Sequence, residues 1–229
     1  ERFILPIVPL FPPDPNPALP SFGERAIYPY TRAYRFGLEP VEREMEALVL
    51  ENDLLNLQVV PALGGRLWGT TNRQTNRPLF YTPKRVGMIN FGLRGGWYSG
   101  GVEVNFPRGH TVTATETLPA ILRRYPSGAS AAIVGGIDLT RRVGWSIGVR
   151  LEPGCSSIHF DIFLYNRTSM PINYSWWLNA SIPPSPELEY TNGTTEVRAH
   201  FLGRREHLGE PFNWPLHEKN DYRWYSQCA

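Results

Sequence analysis

Short runs of alternating or β-branched residues recur roughly every ten positions from Ala26 to Ile182, and turn residues close most of them. AIYPYTRAYRF alternates aromatic and polar residues. EALVLEN and LLNLQVV are separated by a turn at Asn52-Asp53. LGGRLWGTT and RPLFYT flank the polar stretch NRQTN, which reads as a hairpin. Further strand candidates are HTVTATETL, AILRRY, AAIVGGIDLT, WSIGVRLE, IHFDIFLYN and INYSWWLNASI. Helical spacing is arguable only over Val41–Leu50, where a strand from about Glu46 is the favoured reading. With 22 prolines in addition, the expected class is an all-β sandwich.

Residues 1–24 form a Pro-rich lead-in, expected as an extended arm on the surface of a domain spanning 25–229, because proline cannot pair inside a sheet. The polar, aromatic stretch after Pro183 closes as a globular domain seldom does. The chain is therefore expected to be the N-terminal portion of a longer domain, and its opening on Glu1, not on Met, is expected of a chain trimmed at its N-terminus.

Lysine and arginine number 23 against 21 acidic residues, and the basic pairs (Arg123-Arg124, Arg141-Arg142, Arg204-Arg205) are dispersed. That pattern is a solvated surface, not a nucleic-acid stripe. No apolar run approaches the ~18 residues of a membrane span, and the start lacks the layout of a signal peptide. A soluble chain of open compartment is expected. Cys155 and Cys228 make neither a disulfide framework nor a zinc site. The sequons at Asn166, Asn173, Asn179 and Asn192 carry little weight. No P-loop, GxGxxG, GxSxG or HExxH is present, and no cofactor or metal is called for.

Two clusters could carry chemistry. In GGWYSGGVEVNFPRGH, residues 95–110, Gly pairs flank Trp97-Tyr98 and permit close approach of a ligand. In an extended segment Glu103 and Asn105 share one face, and His110, beyond Pro107, can fold back beside them. A carboxylate and an imidazole are the usual agents of proton transfer. The plain alternative is a Gly-rich turn with an exposed Glu. In SWWLNASI, Trp176 and Trp177 face opposite ways, so one can pack in the core while the other lines a groove beside Asn179. An indole and an amide on one face suit a sugar. Arg66, after Gly64-Gly65, reads equally as a ligand contact or as a surface residue. His159 and Asp161 share a face and read as a structural pair.

Together these blocks resemble a bacterial family of unknown function with a galactose-mutarotase-like β sandwich, often followed by tetratricopeptide repeats. The matching segments are PDPNP and AIYPY, then LENDLLNLQVVPALGGRLW and GLRGGWYSGGVEVNFPRGH. Tyr165–Thr168 and Trp176–Asn179 follow. The resemblance implies a large sandwich of antiparallel sheets, incomplete at the C-terminus of this chain, with a sugar-binding concave face. It implies catalytic roles for Glu103 and His110. Arg66, Trp97, Asn105, Trp177 and Asn179 are implied as ligand contacts, and a second acidic residue could lie outside the chain.

Three functions are consistent with this reading. One is a carbohydrate-active enzyme: a glycosidase, with Glu103 as one of two carboxyl groups, or an epimerase, with Glu103 as base at the anomeric hydroxyl and His110 as acid at the ring oxygen. The second is a non-catalytic sugar-recognition module. The third is a structural domain that supports a repeat region. The expected partner is a carbohydrate, with no nucleic acid or membrane. The sequence says nothing of oligomeric state.

Overall fold

The computed structural model describes residues 1–16, 27–107 and 109–183, together with the backbone of four short strands beyond them. The chain divides into two compact units, Glu1–Ile182 and Pro183–Ala229.

In the first unit the strands are β1 (Arg2–Ile7), β2 (Val41–Glu46), β3 (Leu48–Glu51), β4 (Leu55–Val60) and β5 (Arg66–Asn72). They continue as β6 (Arg77–Pro78), β7 (Ile89–Gly92), β8 (Gly95–Trp97) and β9 (Val102–Asn105). The last five are β10 (Ala120–Arg124), β11 (Ser130–Asp138), β12 (Val143–Leu151), β13 (His159–Asn166) and β14 (Trp177–Ala180). Among the described residues the one helical element is a 3-10 turn, Pro61–Leu63. In the second unit, β15 (Glu196–Arg198) pairs with β16 (Pro211–Asn213), and β17 (Leu216–His217) with β18 (Asn220–Asp221), both antiparallel.

Two antiparallel sheets dominate the first unit. One has the order β14-β9-β5-β4-β3, with β6 also on β5, and the other runs β10-β11-β12-β13. Neither closes on itself among the described residues, so the architecture is an all-β sandwich and not a barrel. Its core follows from period-two alternation. Leu55, Leu57 and Val59 of β4, with Leu50, Leu67 and Val102, meet Ala132, Val134, Val149 and Leu151 of the facing sheet.

The opposite face of the first sheet is also covered. Val60, Leu63, Trp68 and Tyr98 pack against Leu5 and Ile7 of β1 and Met45 of β2. The first part of the Pro-rich lead-in is therefore a strand with a buried face. Its Pro6 is accommodated because the edge of β1 away from β2 carries an isolated bridge to Val86, not a strand, and there Pro6 uses its carbonyl, accepting from Val86 N at 2.8 Å. Residues 17–24 of the lead-in lie outside the described residues.

Three local expectations differ from the structure. The segment from Val41 is a strand from its first residue, because it pairs over its full length with β1, nearly forty positions away. HTVTATETL is a chain of turns, despite its β-forming residues. Its backbone is taken up elsewhere: Gly64 N donates to Glu116 O at 3.0 Å and Leu118 N to Pro61 O at 3.1 Å. AIYPYTRAYRF, where described, forms a turn and isolated bridges, Leu10 with Phe36 and Ala33 with Gly95. The hairpin across NRQTN forms as expected, between β5 and β6. Asp161 pairs chiefly with Arg150, whose Nε donates to it at 2.6 Å.

Candidate functional site

The site is built on two neighbouring strands. Val102 of β9 turns into the sandwich core, and Val104 packs beside Phe106 and Trp145. Alternation sends Glu103 and Asn105 to the opposite face. Strand β14 runs antiparallel to β9 and sets Asn179 across from Glu103 and Trp177 across from Asn105. The adjacent tryptophans divide as alternation requires: Trp176 packs with the Phe106 cluster, and Trp177 lies on the site face.

Glu103 is the hub, with only 2% of its surface exposed. Its Oε1 accepts a hydrogen bond from Trp97 Nε1 at 2.9 Å and lies 3.2 Å from Arg66 Nη2. Its Oε2 accepts from Asn179 Nδ2 at 3.3 Å and faces His110 Nδ1 at 2.9 Å. A carboxylate offers about four lone-pair sites: Trp97, His110 and Asn179 hydrogen-bond to this one, while Arg66 contributes charge, its Nε and Nη2 making no hydrogen bond among the described residues. Burial pushes the Glu103 carboxyl upward. The His110 hydrogen bond, the Arg66 charge and the Trp97 donor outweigh that push and hold it below the ordinary glutamate value.

Arg66 opens β5 directly after the left-handed Gly64 and Gly65. Its surface is 2% exposed, so it is not the surface residue that the sequence left open. Nη1 donates to Gly100 O at 3.0 Å, and the guanidinium lies over the Tyr98 ring at 4.3 Å and the Trp97 ring at 5.6 Å. The Tyr98 hydroxyl donates to Ala114 O at 3.0 Å, and burial raises the pKa of that phenol.

The partners fix the polarity of the remaining groups. A carboxylate at Nδ1 makes that nitrogen of His110 the protonated one, which leaves Nε2 without a hydrogen-bond partner among the described residues. Asn105 is fully buried, and its Oδ1 accepts from Thr111 N at 3.0 Å. It thereby ties down the residue next to His110. Its Nδ2 has no partner among the described residues. A buried donor left in that state is costly, unless a water or a ligand meets it.

Three rings surround the imidazole. Phe91, Trp97 and Trp177 have centroids 4.8, 5.1 and 5.0 Å from that of His110. All seven residues singled out in the sequence thus lie on one patch. Sequence reasoning missed Phe91, Tyr98 and Thr111. Phe91 stands outside both quoted clusters, and Tyr98 carried no signal beyond its neighbour. No group of three or more His, Cys, Asp or Glu side chains gathers among the described residues in a way that could hold a metal ion. No helix there is long and apolar enough to cross a membrane.

Fold and site together define an antiparallel β-sandwich domain with a buried Glu–His centre under aromatic cover. The chain belongs to the DUF5107 family, a domain of unknown function, which it matches over residues 23–228. A crystal structure similar to it is that of a TPR-domain containing protein from Parabacteroides distasonis ATCC 8503. The TM-score is 0.73 and the identity 22%, over 82% of this chain and 33% of that one. The likeness is one of fold, and this chain spans about a third of that protein's length.

Proposed function

We propose that the site binds a carbohydrate on a galactose-mutarotase-like sandwich, with His110 as the proton-exchanging group and Glu103 as its positioning residue. The observation that carries this reading is the hydrogen bond from the buried Glu103 carboxylate to His110 Nδ1. Held by three hydrogen bonds and the Arg66 charge, the carboxylate orients the imidazole and leaves Nε2 to meet a ligand hydroxyl. The roles therefore differ from those expected from sequence, where Glu103 was the base. In the neutral form Nε2 accepts a hydroxyl proton, and as imidazolium it returns one. Indole and phenyl planes beside the buried Asn105 amide suit the mixed apolar and hydroxylated surface of a sugar.

Hydrolysis by paired carboxylates needs a second acid within about 5–10 Å of the first. Among the described residues no second Asp or Glu contacts this centre. Glycosidase chemistry would therefore call on an acid beyond these contacts, and epimerase-like exchange, which the Glu103–His110 pair could carry, is the chemistry proposed. The same observation supports a second reading, a recognition module without turnover. The fold likeness to a protein named for its TPR domain supports a setting in which the sandwich stands beside a repeat region.

The test uses the full-length protein. Binding of a panel of methyl pyranosides is followed by tryptophan fluorescence, and anomerisation of α-D-glucose and α-D-galactose by polarimetry. Trp177→Ala is expected to weaken binding. His110→Ala is expected to slow any anomerisation by about 10²–10⁴-fold, the usual share of an acid–base group. Binding without turnover in the wild type selects the recognition module, and no binding to any pyranoside rejects the carbohydrate reading.

A further inference from the structure

Phe91 sits at a break in the ladder between β7 and β8. Partners run Ile89–Trp97 and Asn90–Gly96, then step to Gly92–Gly95, so Phe91 has no residue opposite it. An extra residue in one strand bends that strand and re-aims a side chain. Here the ring is turned onto the site, against His110 at 4.8 Å and Trp97 at 5.5 Å between centroids.

The hairpin that carries it is anchored. Ala33 N donates to Arg94 O at 2.8 Å, and Gly96 N donates to Ala33 O at 2.7 Å. Arg94 Nε donates to Thr31 O at 2.7 Å, and its guanidinium pairs with Glu116. Gly95 has φ +123°, and a Cβ there would lie 2.7 Å from Tyr34 Cβ. The bulge is thus presented from a fixed frame. Even so, Phe91 keeps 49% of its surface exposed, while His110 keeps 9%. The ring is packed on the site by one side and open on the other.

We propose that Phe91 is the stacking platform of this site, and that it selects a closed pyranose ring over an open-chain polyol. This rests on the carbohydrate reading above. A pyranose presents a rigid face of C–H bonds that can lie on an aromatic plane. An acyclic polyol carries comparable hydroxyls without such a face. The hydroxyl edge of the sugar would meet His110 Nε2, which has no hydrogen-bond partner among the described residues.

The experiment titrates the full-length protein, by tryptophan fluorescence, with the methyl pyranoside panel and with galactitol. Wild type and Phe91→Tyr are expected to bind at least one pyranoside more tightly than galactitol. Phe91→Leu is expected to weaken that pyranoside roughly tenfold, the upper range of an aromatic contact, and to leave galactitol unchanged. Phe91→Met, with no aromatic plane, replaces the Leu variant should thermal unfolding find that variant unfolded. A folded variant that keeps full pyranoside affinity overturns the platform and leaves the carbohydrate reading standing. A wild type that binds no pyranoside overturns both.

Discussion

Glu103 Oε2 lies 2.9 Å from His110 Nδ1, although Pro107 interrupts the six residues between them. The contact closes a loop from β9 back onto its own strand face, and it leaves one carboxylate serving Arg66, Trp97, His110 and Asn179 together.

Removing that charge strands a buried cation. Glu103→Gln is expected to cost about 3–5 kcal/mol, because Arg66 then lies buried without a counter-charge. Adding Arg66→Met should recover most of the loss. Urea denaturation of both single variants and of the double variant checks this, and strict additivity would contradict it.

The same carboxylate sets an acid limit. Its folded pKa is held below the ordinary value. Its contribution to stability is therefore present above the unfolded pKa, about 4.3, and is lost as pH falls through the folded one. Denaturation midpoints measured downward from neutral pH should fall more steeply below about pH 4.3 in the wild type than in Glu103→Gln. Parallel acid limbs would count against this account.

Gly101 has φ +61°, and a Cβ there would approach Leu67 O to 2.3 Å. Gly101→Ala is expected to cost about 1–3 kcal/mol from strain alone. The displacement should also reach Glu103, two residues on. Thermal unfolding reads the first effect. The fluorescence of Trp97, which donates to Glu103, reads the second.

The paired tryptophans should differ in their effect on His110. Trp176 Nε1 is buried without a partner among the described residues, so Trp176→Phe removes an unmet donor and should cost no more than about 1 kcal/mol. Trp177→Phe should likewise leave stability near that of the wild type, but change the environment of His110, 5.0 Å away between centroids. NMR titration of the His110 ring separates the two variants. Equal shifts in both would be contrary to the assignment.

Much of the site was legible because period two is a strict rule. Once β9 and β14 are strands, Glu103 and Asn105 must share a face, as must Trp177 and Asn179. Arg66 was only half legible: after Gly64-Gly65 it read equally as a ligand contact and as a surface residue, and only its burial separates the two. Phe91 was not legible, because a bulge breaks the alternation that sequence reading depends on. The turns of 111–118 were hidden for a different reason. Threonine and valine favour strands locally, and the partners that hold these turns, Pro61 and Gly64, lie about fifty positions earlier. The strand at Val41 likewise depends on β1, whose pairing no local pattern announces.

Half of the Glu103 environment comes from far along the chain. Asn179, which donates to Glu103, follows it by 76 residues. At about 5–20 residues per second of synthesis, the glutamate is incorporated roughly 4–15 s before its last partner. Through that interval β9 has an open edge where β14 will pair. A nascent chain therefore exposes a strand edge next to a carboxylate that still lacks one of its donors, and a chaperone that recognises extended segments would find its target there.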